Sequence, residues 1–101
     1  MAEYILLMKL TDQGARSIDQ AATRQGQAVQ VFQELGGELE GFWVTMGEYD
    51  YIAVGRVPTD ETALAFALYL AMEGNVRTTT VPAFDMDTVA SALRTAMPYH
   101  R

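Results

Sequence analysis

The residues with the most chemical potential in this chain lie close together: Tyr49, Asp50 and Tyr51 set a carboxylate between two phenols. A carboxyl group beside phenols can have a raised pKa and act as a general acid or base, which makes Asp50 and Tyr51 the catalytic candidates. The same aspartate, next to a turn, can instead accept hydrogen bonds from backbone amides and brace a hairpin, the commoner use of aspartate there. Arg77 carries a guanidinium on a β-rich segment, suited either to pairing with a carboxylate such as Asp50 or to holding an anionic ligand. Trp43 can join these residues in an aromatic-walled pocket with few polar groups, so Trp43, Tyr49, Tyr51 and Arg77 are the candidate ligand-binding residues. Core or interface packing is the ordinary alternative for each aromatic side chain.

Other chemistries lack the residues they need. The chain has no cysteine, which removes thiolate metal sites, cysteine nucleophiles and disulfides together. Its single histidine, His100, follows Pro98 near the last residue, where chain ends fray, so haem ligation, zinc binding and a Ser-His pair have no well-held imidazole. Met8, Met46, Met72, Met86 and Met97 fall at core-like spacings and read as packing rather than copper ligands. Thr78, Thr79 and Thr80, like Ser17 and Ser91, have no base nearby to activate a hydroxyl, and no glycine-rich phosphate loop is present. No metal and no cofactor is therefore expected.

Charge and hydropathy narrow the partners. Thirteen acidic against seven basic side chains give a net charge of −6, a field that repels phosphate backbones and argues against nucleic acid. The acids Glu34, Glu38, Glu40, Glu48 and Asp50 gather around one predicted strand and its turn and read as solvated edge charge. The longest apolar run, Ala63 to Met72, is well short of the roughly 20 residues that cross a bilayer, so no membrane partner is expected. Met1-Ala2-Glu3-Tyr4 lacks the basic region of a secretory signal, and with the missing cysteines this suits a cytoplasmic protein.

These candidates must be positioned by regular elements, and the pattern supplies them. Tyr4 to Leu10 is a bulky apolar run broken only by Lys9, a buried strand. Thr11-Asp12-Gln13-Gly14 offers turn and capping groups, and Ile18, Ala22, Val29, Phe32 and Leu35 then recur on one helical stripe, giving a single long helix from about residue 14 with a soft middle at Gly26. Gly36-Gly37 ends it. Leu39 to Met46 and Tyr49 to Val57 read as an antiparallel hairpin about Gly47-Glu48. A second helix runs from about 60 to 73 behind a Thr59 or Asp60 cap, a fourth strand from Val76 to Val81 ends at Pro82, and Asp85 to Ala96 is a third helix.

The 101 residues thus make one domain, 1–101, of the α+β class: a ferredoxin-like βαββαβ chain with an added C-terminal helix and a four-stranded antiparallel sheet. Self-association is expected. Helices cover one sheet face, yet neither set of alternating side chains on the two hairpin strands is fully polar, and the run Ala63 to Met72 is apolar on every side of its helix. The C-terminal helix can cover part of that surface within the chain; a second subunit on the sheet face covers the rest.

Thr11-Asp12-Gln13-Gly14, Gly36-Gly37-Glu38-Leu39, Gly47-Glu48-Tyr49-Asp50 and Gly74-Asn75-Val76-Arg77-Thr78 followed by Ala83-Phe84 resemble, in order and spacing, the GYD-domain family from Tyr4 to about Leu93. The naming triplet departs only by Glu48, inserted between Gly47 and Tyr49. The resemblance implies a ferredoxin-like subunit assembled through its sheet as in dimeric α+β barrels, but no particular activity. That fold serves cofactor-independent monooxygenases, haem-binding enzymes and amino-acid-sensing modules alike. A homo-oligomer that binds a small molecule, or acts as a regulatory or structural assembly unit, is the leading expectation. A cofactor-independent monooxygenase is the alternative, and it needs an enclosed cavity with Asp50 or a tyrosine turned inward.

Overall fold

The computed structural model describes residues 1–101. Strands β1 (Ala2–Leu10), β2 (Glu38–Val44), β3 (Tyr51–Val57) and β4 (Val76–Ala83) form one antiparallel sheet in the order β2-β3-β1-β4. Helices α1 (Asp12–Arg16), α2 (Ala21–Glu34), α3 (Asp60–Glu73) and α4 (Met86–Ala96) complete the ferredoxin-like βαββαβ order with its added C-terminal helix. Alternation along the strands sends Leu6, Met8, Ala53 and Val57 toward α2 and α3, where they meet Phe32, Phe66 and Leu70 in the buried core. Phe32 is the centre of that packing. Its ring stacks edge-on against Phe66 at 4.9 Å and covers Gly37 and Gly55, where any Cβ would come within 3 Å of it.

The motifs that carry the family resemblance turn out to be joints of the fold. The Thr11 hydroxyl donates to the Gly74 carbonyl (2.6 Å) and caps α1 by accepting from the Gly14 amide, while Gln13 Nε2 donates to Glu73 O and Asn75 Oδ1. Gly14 is required there, because a Cβ would sit 2.1 Å from the Asn75 carbonyl oxygen. At the other joint, Gly36 (φ 91°) ends α2 in the left-handed conformation and Gly74 (φ 79°) ends α3 the same way.

Several expected boundaries move. The predicted long first helix is two, interrupted at Ser17–Gln20 rather than softened at Gly26, which sits inside α2 with open space around it. The break is held by Arg24, whose guanidinium donates to Ser17 O, Ser17 Oγ and Gly14 O and so satisfies the carbonyl end of α1. The hairpin connection spans residues 45 to 50 rather than Gly47-Glu48 alone. Strand β4 runs through Pro82, which its edge position allows since its outer side needs no donor. The C-terminal helix does not cover α3: α4 makes no substantial contact with another helix or with the sheet, and the molecule measures 55 × 30 × 20 Å as a result. No helix is long and apolar enough to cross a membrane.

Candidate functional site

Strand register decides which candidates can meet. Trp43 pairs with Ile52 and Val44 with Tyr51, so the indole and the Tyr51 phenol emerge on opposite faces of the sheet. Trp43 lies on the face without helices, flat over Gly41, whose missing side chain makes room: a Cβ there would come within 2.2 Å of the indole. Lys9 and Arg77 are cross-strand neighbours at one end of this open face. Tyr49 joins them, its ring 5.5 Å from Lys9 Nζ, while Lys9 also reaches Glu48 at 3.6 Å. Arg77 makes no ion pair, so the pairing with Asp50 weighed above does not form.

Asp50 is committed to the fold. Its Oδ2 accepts from the Leu10 amide (2.8 Å), its own amide donates to Met8 O (2.9 Å), and its carbonyl accepts from Thr45 N (2.8 Å). One residue thereby ties the hairpin connection to the end of β1, the bracing arrangement. Asp50 does not line the groove described below.

The open face is apolar at its centre, where Ile5, Leu7, Ile52, Val54 and Val81 lie side by side in register, with Trp43 beside Ile52 on the edge strand β2. Its far end is acidic. Glu3, Glu38 and Glu40 surround Arg56, which pairs with Glu38 at 3.1 Å and Glu40 at 2.9 Å. The Glu40 charge holds the Glu3 carboxyl above the usual carboxylate range. The face therefore has a basic end at Lys9 and Arg77 and an acidic end at Glu3 and Glu40.

On the other face, the N-terminal half of α2 and the C-terminal end of α3 flank a groove of about 440 Å³. Met8, Phe42, Tyr51 and Leu70 make its apolar floor, with Tyr51 packed on Phe42 at 5.6 Å. The groove's polar lining comes from Arg24, Gln25, Gln27, Glu73 and Asn75. Burial, then the neighbouring Glu73 charge and a hydrogen bond to that carboxylate, holds the Tyr69 phenol above its ordinary range. A smaller apolar cleft of about 60 Å³ continues inward past Ala28 to Phe32. A concave, mostly apolar site of this size with a few polar groups suits a small molecule.

Of the four ligand-binding candidates, Trp43, Tyr49 and Arg77 thus share the open face and Tyr51 alone lines the groove. Sequence reasoning missed Phe42, Tyr69 and Gln25. Tyr69 sits inside the continuous apolar run of α3, where no periodicity marks one face. No group of acids and histidine is placed to hold a metal ion.

No curated protein matches the chain. A comparison with protein-family models matches the GYD domain over residues 4–93, and the chain is a member of that family.

Proposed function

We propose that this protein is a cytoplasmic homo-oligomer, joined through its open sheet faces, that holds a small, largely apolar molecule in the groove between α2 and α3. The observation that carries the reading is the division of labour between the two sheet faces: the groove lies on the helix side, the unpartnered apolar surface on the other, so assembly and ligand can be accommodated at once. A two-fold axis running across the strands would bring the Lys9–Arg77 end of one subunit over the Glu3–Glu40 end of its partner, pairing opposite charges around an apolar centre. Binding is favoured over catalysis because Asp50, the strongest candidate acid or base, is spent on the Leu10 amide away from the groove.

Indole and benzoate, titrated separately into 15N-labelled protein and followed by amide shifts, test the ligand site. Indole is expected to move amides of Gln25, Phe42, Tyr51 and Tyr69 saturably, and benzoate to act more weakly, because Glu73 lines the groove and the Arg24 guanidinium is occupied by the end of α1. Shifts confined to the open sheet face, or none with either probe, would remove the groove from the account.

A further inference from the structure

Helix α4 is an amphipathic element with nothing beneath it. Met86, Leu93 and Met97 are each more than half exposed, and with Val89 and Ala90 they follow one another at spacings of three and four on a single stripe. An 11-residue helix is shorter than the 12–15 residues or so at which isolated helices become even marginally stable in water, so this one needs a packing partner. Helix α3 has the complementary problem. Its core side is buried, yet Leu64, Leu68 and Met72, at spacings of four, are more than half exposed on its outer side, and the exposed Ala65 and Ala71 beside them would let a second helix approach closely. One chain thus presents two apolar helical stripes of similar length, about 12 Å and about 17 Å at 1.5 Å per residue, and covers neither.

We propose that α4 is an exchanged arm: its Met86–Leu93–Met97 stripe packs on the Leu64–Leu68–Met72 stripe of α3 in a second copy of this chain, and that copy returns its own arm. The inference rests on the self-association proposed above and names a second part of the contact. Three observations favour a second copy over the chain's own α3. The connection from β4 is two residues, Phe84 and Asp85, and Asp85 is extended (φ −79°, ψ 171°), with its side chain fixed as the cap of α4 by the Thr88 amide at 2.8 Å. The arm consequently leaves the end of the sheet, and the Cα radius of gyration is 16.0 Å against about 13 Å for a compact chain of 100 residues. The third is area. Four strands about 4.8 Å apart and about seven residues long at about 3.3 Å each give a sheet footprint near 450 Å² per copy. Two such faces bury roughly 900 Å², short of the roughly 1,600 Å² of a standard stable interface, and a pair of exchanged helices adds contact on the same assembly. Exchange in both directions is the self-complementary geometry of a two-fold dimer.

The absence of native cysteine gives a direct test. Full-length chain carrying Leu68→Cys is mixed with 15N-labelled chain carrying Leu93→Cys, oxidised under mild conditions and digested for mass spectrometry. A disulfide joining a light position-68 peptide to a heavy position-93 peptide, with Leu93→Asp weakening self-association of the otherwise native chain at least tenfold, is the expected result. An oligomer that forms no 68–93 link and keeps its affinity with Leu93→Asp overturns the arm while leaving the sheet-face assembly standing. A 68–93 link formed only within single chains of a double variant means that α4 folds back on its own α3, and also overturns it. A native chain that stays monomeric removes both proposals. Both substituted positions are solvent-exposed in the subunit, so neither change disturbs its core.

Discussion

Asp50 shows how a chemically suggestive residue can be held by the fold's own backbone. Its carboxylate, amide and carbonyl each meet a different backbone group, two of them on β1. Asp50→Ala leaves the half-buried Leu10 amide without its acceptor and should cost about 2 kcal/mol of stability, the range for a charge-assisted hydrogen bond lost from one side. Urea unfolding should show a lower midpoint at constant slope, with indole binding in the folded protein unchanged. Unaltered stability together with lost indole binding would mean that Asp50 serves the site and not the fold. The glycines argue the same way at this scale. Gly14, Gly37, Gly41 and Gly55 each make room for a neighbour, respectively the Asn75 carbonyl, the Phe32 ring, the Trp43 indole and Phe32 again. From sequence, the residues of these motifs were visible and their partners were not, because Thr11 and Gly74 meet only after α3 has brought them together across the fold.

Among the elements, those with strong periodicity or clear punctuation were legible: the buried run of β1, the Gly36-Gly37 stop and the Thr59 cap, whose hydroxyl accepts from the Thr62 amide. The break between α1 and α2 was not, since Ser17-Ile18-Asp19-Gln20 contains neither glycine nor proline, and the grip on it comes from Arg24, seven residues after Ser17 and ten after Gly14. Arg24→Ala should therefore destabilise the fold by about 2 kcal/mol, and Arg24→Lys should recover only part, because a point charge cannot satisfy three divergent carbonyl and hydroxyl acceptors as a planar fork does. Thermal unfolding by circular dichroism checks the order native, Lys, Ala. Equal stability of all three would show that the break is set by local sequence. Helix α4 was legible as a helix but not as an arm: periodicity reports an apolar face, and says nothing about which surface covers it.

For the whole molecule, alternation along β2 and β3 already implied that neither sheet face is fully polar, and the structure divides them into a core side with a groove and an open side with oppositely charged ends. The pocket expected from Trp43 together with Tyr51 was illegible in detail because it depended on strand parity across the hairpin: Trp43 opposes Ile52, so the two aromatics are sent to opposite faces. The exposed stripes on α3 and α4 add to the open face as surface that a lone subunit leaves in water. All of this converges on self-association, and the measurement that tests it most directly is the solution mass of the native full-length chain by light scattering over a hundredfold dilution. The account predicts a mass of at least twice the 11.2 kDa subunit that persists at low micromolar concentration. A mass of one subunit throughout the range would contradict it.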